Sequence, residues 1–450
     1  VIVTARILLA CALMAAQAGA HADLALTHVN VLTMERAGVL ADQTVLVRGQ
    51  TIAVLGPAVS VPVPGGVQLI DGRGRFLMPG LTDMHVHVNP DGGRDLLFYL
   101  ANGVTTVVSL RGDERFLELR ERLTAADALG PRLLSCGPFA QDIDEVRAGV
   151  SAVRAIAEAG YDCVKFYGDW DADAFIAATQ TAGELGLLAI GHAPRNHNFD
   201  LIESSDLRAL AHLEEVVYAD PVLNHWLDTY RGRGDEPAAY SDPGRTLEEA
   251  IESVARRVAA SGVWVVPTNI VMDAYLRRFT DAFDAFARRP YLQYLDPVTR
   301  SEWQNNRGRG RAARFHQQFR LQQVMLKAFY DAGVPMALGT DASEAARLSV
   351  MPGWSVHEEL RLVVDAGIPA FDALKMATAN AARLLKREDE GVIRAGARAD
   401  LLLLKANPLD DIANTRDIAG VVRAGHWWPR SVLDARLAAL RESDGAVTAP

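Results

Sequence analysis

The sequence predicts an α/β chain: a (β/α)8 barrel of the TIM type with a small flanking β-sandwich built from both chain ends. Three observations carry this. Between residues 76 and 390, short apolar runs alternate with helical segments, the pattern of a parallel sheet with crossover helices. Several of these runs end in an ionisable or metal-ligating side chain, at the position where a barrel gathers its strand ends into one ring. Residues 23–75 and 391–435 read as short strands split by turns, which a barrel does not use.

Taken in order, residues 1–22 have the form of a signal peptide. Arg6 is the only charge, Ile7 to Ala16 is apolar, and Ala20-His21-Ala22 makes an A-x-A cleavage site before Asp23. The run is too short to span a membrane. A bacterial periplasmic or secreted protein is expected. Strands follow at Leu24–Met34, Thr44–Val47, Thr51–Leu55 and Val67–Ile70, and near the other end at Asp400–Lys405 and Ile418–Arg423. Barrel strands are expected at Leu81–Val88, Val104–Leu110, Arg132–Cys136, Cys163–Tyr167, Leu187–His192, Ala209–Leu213, Val263–Pro267 and Met336–Asp341. Thr246-Leu247-Glu248-Glu249 is a capping box that opens a helix reaching about Ala260.

Two connections, 214–262 and 268–334, are too long for plain barrel loops. The first holds ten acids and five arginines, net −5. The second holds ten arginines, one lysine and six acids, net +5. Segments after the sixth and seventh strands overhang a barrel's site as lids. Helical hairpins that pair with each other through opposite charge are an equal reading.

The bulk composition bounds the function. The chain has 450 residues, is 49% hydrophobic and carries a net charge of −10. Loss of Arg6 with the leader gives −10 − 1 = −11. An acidic chain with ordinary charge content argues against a nucleic-acid partner. Of three cysteines, Cys11 lies in the leader, and Cys136 and Cys163 sit in expected core strands. They read as buried thiols rather than a disulfide framework.

The chemistry lies at the strand ends. Pro79-Gly80-Leu81-Thr82-Asp83-Met84-His85-Val86-His87 places two imidazoles two residues apart, on one side of a strand. Lys165, His192, His212 and Asp341 follow, each where an apolar strand runs out. One such histidine is ordinarily a core or surface residue. Six in this order, all at strand ends, point to a two-metal hydrolase site.

These motifs resemble the amidohydrolase superfamily, as do Gly339-Thr340-Asp341, Gly391–Asp400 and Asn407-Pro408-Leu409. Within it, the chain looks most like the imidazolonepropionase- and prolidase-like branch, which includes secreted dipeptidases and ochratoxin-type amide hydrolases. Imidazolonepropionases generally lack the lysine of the fourth strand, so Lys165 favours the binuclear, peptidase-like side. The resemblance implies that His85, His87 and Asp341 bind a more buried metal, and His192 and His212 a more exposed one. Lys165 would bridge them. An ammonium has no lone pair for a metal, so the resemblance implies a CO2-derived carbamate on Lys165. The mixed imidazole and carboxylate set suits Zn²⁺, with Mn²⁺, Co²⁺ or Fe²⁺ also compatible. Two cations would lower the pKa of a shared water towards ~7. Asp341 would carry its proton to the leaving amine.

Further contacts are read from position. Asp83, two before His85, is placed to orient an imidazole. Tyr167, Arg111 and His357 are candidates for substrate contact, each with ordinary packing as an equal reading. The expected partner is a small molecule bearing an amide and a carboxylate: a dipeptide, an N-acyl amino acid or an ochratoxin-like amide. Cyclic amides, lactones and phosphoesters are the alternative substrates, and a non-catalytic barrel is the alternative class. Barrels of this kind often form homo-oligomers.

Overall fold

The computed structural model describes residues 23–91, 93–220, 222–224, 246–308, 312–343 and 349–447. The leader and the middle of the first long connection lie outside these residues.

Strands β1 (Leu24–Val31), β2 (Leu40–Arg48), β3 (Thr51–Pro57), β4 (Gln68–Asp71) and β5 (Phe76–Pro79) begin the described chain. Strands β14 (Leu401–Leu404), β15 (Ile418–Arg423) and β16 (His426–Pro429) come near its end. All eight share one sheet, ordered β16-β15-β14-β5-β1-β2-β3, with β4 also paired to β1. The chain ends meet where β14 runs antiparallel to β5, Leu401 opposite Pro79 and Leu404 opposite Phe76. The four leucines of β14 explain why this junction is buried on both faces. Leu402 and Leu404 join the core under the barrel helices, and Leu401 and Leu403 pack with Leu26, Val45 and Val422. That is the period-two alternation of a strand. The sandwich was expected to run to residue 435. From Arg430 the chain is instead a helix, Arg430–Val447, which packs on the helix Arg94–Ala101.

Between the ends lies a TIM-barrel-like α/β body. Strands β6 (Leu81–Val86), β7 (Val104–Ser109) and β8 (Arg132–Ser135) form one parallel sheet. Strands β9 (Ala140–Ile143), β10 (Cys163–Trp170), β11 (Leu188–Gly191), β12 (Ala209–Ala211) and β13 (Trp264–Val266) form a second. These are separate ladders whose edges are joined by single bridges: Cys136 with Cys163, Val265 with Met336, and Val86 with Ala342. The expected eighth strand, Met336–Asp341, is not a ladder strand. It is a segment bonded on both sides, with Ala337 N–H donating to Val265 O at 3.1 Å and Met84 N–H donating to Leu338 O at 2.9 Å. The left-handed backbone of Asp341, φ 57°, breaks the pleat.

The barrel interior is lined by Met84, Val108, Leu134, Ile190, Trp264 and Val266 among others. Cys136 and Cys163 belong to the same layer. The structure corrects the reading of these cysteines as separate thiols, because they form a disulfide with an S–S distance of 2.07 Å. The physical reason is register. The two residues are direct partners across the bridge that joins β8 to β10, and both side chains face inward. Their sequence separation of 27 carries no sign of this adjacency.

The described parts of the long connections are largely helical, and the ion pairs described there are mostly made outside the opposite connection. Arg277 pairs with Asp273, Arg307 with Asp284, and Arg289 with Glu358, all outside the acidic connection. Arg257 of the acidic connection pairs with Glu203 and Asp200. Among the described residues the two connections meet through helices Leu247–Ser261 and Ala312–Asp331, with Gln322 donating to Glu214 at 2.8 Å and Gln318 to the Tyr218 hydroxyl at 3.5 Å.

His357 is the second correction. It was a candidate for substrate contact, but it is buried in the helix Trp354–Asp365. Its Nδ1 lies 2.9 Å from Thr415 Oγ1, and its Nε2 donates to the Asn102 carbonyl at 3.0 Å. Both ring nitrogens are therefore committed to packing. Burial first, then the charge of Arg416, pulls its pKa down to about 3.

Two predictions follow from these corrections. Intact mass under non-reducing conditions should show the Cys136–Cys163 bond. Replacing both cysteines by alanine should cost about 3.5 kcal/mol at most, by loop-closure entropy. An unchanged unfolding midpoint in that variant would argue against the bond. For His357, the folded pKa lies below the unfolded value, so its linkage is silent above about pH 6.5. Below that, the unfolded chain takes up a proton the folded chain refuses, and stability falls by about 1.4 kcal/mol per pH unit towards pH 3. His357→Gln should remove this slope in denaturation measured between about pH 7 and about pH 5.5. A slope identical to the parent's would place the proton uptake elsewhere.

Candidate metal centre

The strand β6 is buried along its whole length, which fixes His85 at its end. His85 is 1% exposed, and its ring centroid lies 5.5 Å from that of His87. One carboxylate oxygen serves both: Asp341 Oδ1 is 3.2 Å from His85 Nε2 and 3.0 Å from His87 Nε2. Asp341 reaches them because its segment packs tightly on β6. A Cβ on Gly339 would lie 2.5 Å from Val266 Cγ1 and 2.9 Å from His85 Cβ, so only glycine fits.

Asp83 supplies the clamp. It was expected to orient an imidazole, but it binds backbone instead. Its carboxylate accepts from the N–H of His85 at 3.2 Å, the N–H of Thr340 at 3.0 Å and the hydroxyl of Thr340 at 2.6 Å. The strand geometry explains the difference. Asp83 is fully buried behind the strand end, where unpaired backbone donors need an acceptor more than the ring does. Burial lifts its pKa to about 7, against those three hydrogen bonds.

The other half of the cluster comes from the second sheet. In the parallel register of β10 and β11, Lys165 lies opposite Ile190, and Phe166 opposite Gly191. A Cβ on Gly191 would sit 2.2 Å from the Phe166 carbonyl, so the two strands can approach only with glycine there. His192 follows at once. Its ring centroid is 4.9 Å from that of His212, which in turn is 4.6 Å from that of His85. Ligand atoms of His85, His212 and Asp341 all fall within 4.8 Å of one another. The structure thus brings His85, His87, His192, His212 and Asp341 into one contiguous cluster. Lys165, also buried, is close enough for its charge to act on His85, His192, His212 and Asp341.

Two further residues complete it, and sequence reading missed both. Glu215 lies 2.9 Å from His192 Nδ1, and it accepts from the Ala193 N–H at 3.2 Å and from Arg195 at 2.5 Å. Thr268 Oγ1 is 2.7 Å from His212 Nδ1. Each contact engages the Nδ1 edge and leaves Nε2 for another partner. The one available signal was position: Thr268 follows β13, the strand whose end had been assigned no function. His212, Thr268 and Asp341 all hold positive φ, at 80°, 50° and 57°. Backbone strain of this kind collects at working sites.

Electrostatics keep the cluster in ligand form. Burial pulls the imidazoles of His85, His192 and His212 well below their ordinary range, helped for each by the Lys165 charge. They are neutral and offer a lone pair. Burial lowers Lys165 to about 8, opposed by Asp341 and Glu215. Burial also opposes ionisation of Asp341, yet the His87 hydrogen bond and nearby positive charge outweigh it and hold its carboxyl below the usual value.

The Lys165 amine and the His85 Nδ1 are buried with no hydrogen-bond partner. A buried unpaired amine is costly, and a cluster of neutral imidazoles with one carboxylate is the donor set of a divalent cation. The residues therefore fit a metal centre. Of the expected substrate contacts, Tyr167 touches the cluster edge-on, 4.6 Å from His192. Arg111 lies further out, over Phe139.

Comparison with known proteins agrees with this geometry. The family model described as "Amidohydrolase family" matches residues 76–428. A 5-methylthioadenosine/S-adenosylhomocysteine deaminase of Caldanaerobacter subterraneus subsp. tengcongensis is 26% identical over 432 residues, covering 86% of this chain and 85% of its own. An imidazolonepropionase of Streptomyces avermitilis is 25% identical, covering 82% of each. Among solved structures, a Xaa-Pro dipeptidase with bound methionine superposes with a TM-score of 0.66 at 18% identity, over 90% of this chain and 99% of its own. The A. niger ochratoxinase gives a TM-score of 0.64 at 18% identity, over 90% and 96%. At these identities the solved structures speak to fold alone. The chain belongs to the amidohydrolase family, whose members generally use a divalent metal, and is a hydrolase acting on C–N bonds.

Proposed function

We propose that this chain is a binuclear metal-dependent hydrolase that cleaves an amide or peptide C–N bond in a small carboxyl-bearing substrate. A dipeptide, an N-acyl amino acid or an ochratoxin-like aromatic amide fits this description. The observation that carries the reading is Lys165, an amine buried without a partner among neutral imidazoles. A pKa near 8 leaves far more neutral amine at pH 7 than an ordinary lysine has. That form adds CO2, losing one proton, to give a carbamate with two acceptor oxygens where the orphan nitrogen now sits.

His85, His87 and Asp341 would hold the more buried ion, His192 and His212 the more exposed one, and carbamylated Lys165 both. Zn²⁺ suits this set best. When bound, the ions acidify a water and polarise the scissile carbonyl. The protein's own groups do the rest. Glu215 and Thr268 fix the ring orientation of His192 and His212 through Nδ1. Asp83 and Gly339 hold the Asp341 segment against β6. Asp341 is placed to accept the proton of the attacking water and return it to the leaving nitrogen, which an amide needs because its anion leaves poorly. Preference for a carboxylate is supported by the net +5 of residues 268–334 and by Arg111.

Export to the periplasm or medium belongs to the same reading. The leader supports it, as does the Cys136–Cys163 bond, since disulfides persist in oxidising compartments. A barrel completed by the 336–342 segment, with the terminal sheet as a small flanking β-sandwich, is the architecture we assign.

The test is metal content of the purified mature protein alongside hydrolysis of dipeptides and N-acyl amino acids. About two metals per chain and chelator-sensitive cleavage are expected. Asp341→Asn should lower turnover by roughly 10³-fold while retaining more metal than activity. Lys165→Ala should drop the metal content towards about one per chain. About one metal in the parent protein would exclude the carbamate bridge. Two metals without amide cleavage would redirect the assignment to lactones and phosphoesters.

A further inference from the structure

Strands of the barrel and the loops beside them contribute a row of side chains that leads out of the histidine cluster. His192 follows β11, Tyr167 is on β10, Phe139 lies just beyond β8, and Arg111 lies just beyond β7. The Tyr167 ring meets His192 edge-on at 4.6 Å. Phe139 and Tyr167 are stacked, with centroids 5.4 Å apart and planes within 12°. The Arg111 guanidinium stands 5.2 Å from the Phe139 centroid. Tyr167 is 41% exposed, unusual for an aromatic ring in contact with a buried cluster, and Arg111 is exposed. The nearest acid on its own loop, Asp113, is held by Arg115 at 2.7 Å and 3.1 Å.

We infer that Arg111, Phe139 and Tyr167 form an aryl-binding ledge that selects amides carrying a planar aromatic group with an anionic substituent at its far end. The inference rests on the amide-hydrolase reading for the position of the scissile bond, and adds the substrate's shape. Two near-parallel, offset-stacked rings present aromatic faces and edges to which a third planar ring can add offset or edge-to-face contact. An aliphatic ring of the same volume gains the burial without the stacking. The guanidinium at the outer end adds a planar cation that pairs with a carboxylate or phenolate in a bidentate way. Tyr167 touches both the ledge and the cluster, so an aromatic group seated here has its amide next to His192. Packing alone does not require an exposed tyrosine stacked on an arginine-capped phenylalanine at the mouth of a site.

The test uses three N-acylglycines of similar size: N-benzoylglycine, N-cyclohexanecarbonylglycine and N-(4-carboxybenzoyl)glycine. Binding is measured calorimetrically on the full-length Asp341→Asn protein, and KM on the parent enzyme. The benzoyl compound should bind about fivefold tighter than the cyclohexyl one. The 4-carboxybenzoyl compound should gain roughly a further fivefold, lost in Arg111→Gln and weakened by salt. Phe139→Leu should erase the aryl preference while leaving cyclohexyl affinity within about twofold. Tyr167→Phe, which keeps the ring, should retain the preference and guards against a folding defect in the leucine variant. Equal aryl and cyclohexyl affinity in the parent, or a preference that survives Phe139→Leu, overturns the ledge. Binding is read without turnover, so aryl-selective binding with no hydrolysis by the parent would count against the amide-hydrolase reading and leave the ledge standing. Hydrolysis without aryl selectivity would do the reverse.

Discussion

A buried amine with no hydrogen-bond partner is the constraint on which this site depends. Lys165 is held by β10, whose neighbour β11 can approach only because Gly191 has no side chain. Around the amine, the imidazoles of His85, His192 and His212 are held neutral by the same burial, while Asp341 is shared by His85 and His87 and Glu215 binds His192. A cluster so composed leaves an imidazole nitrogen, His85 Nδ1, and the Lys165 amine without hydrogen-bond partners, a costly arrangement for buried groups. Under the proposed function, divalent ions and a carbamate would meet both conditions, by accepting the imidazole lone pairs and turning the amine into an acceptor.

The two halves of the centre are fixed by different means. On the β6 side, geometry is set through backbone: Asp83 binds two N–H groups, Gly339 lets the chains touch, and Asp341 is held at positive φ. On the β10–β12 side, geometry is set by side chains. Glu215 and Arg195 position His192, Thr268 positions His212, and Tyr167 leans on the ring of His192. Backbone devices tolerate little substitution, because each donor buried at a strand end must keep its acceptor. Side-chain devices can be exchanged one for one.

How far the sequence foretold this follows from the same distinction. Strand-end ligands were readable because period-two alternation and apolar runs mark where strands stop, and a barrel brings those stops together. His85, His87, His192, His212 and Asp341 gather in one cluster with Lys165 close by, although Lys165 lies within β10 rather than at its end and Asp341 follows a segment that is not a ladder strand. What it could not supply was lateral register. The pairing of Cys136 with Cys163 depends on which residues of β8 and β10 face each other across a bridge. The inward commitment of His357 depends on Asn102 and Thr415, which are remote in sequence. Asp83 was expected to orient an imidazole, but its partners are the N–H of His85 and the N–H and hydroxyl of Thr340, a residue remote in sequence. The eighth strand is hydrogen-bonded on both sides but only as isolated bridges, and an apolar run does not tell a ladder from such a segment.

This division bears on how one fold serves several named activities. Proteins related to this chain at 26% and 25% identity carry the names of a deaminase and an imidazolonepropionase, and solved structures of the same fold include a dipeptidase and an ochratoxinase. A fold does not choose a substrate. Under the proposed function, the backbone-held half, around Asp341, would serve the step that C–N hydrolyses share, proton transfer to nitrogen. The side-chain-held half faces outward along β10, β8 and β7, where Tyr167, Phe139 and Arg111 are free of any part in holding the cluster's backbone. On the inference drawn above, substitution at Phe139 and Arg111, which do not touch the cluster, is expected to change what is bound more than what is done to it. Selectivity is therefore expected to reside on the β7–β10 arc of the barrel mouth rather than on the β6 side.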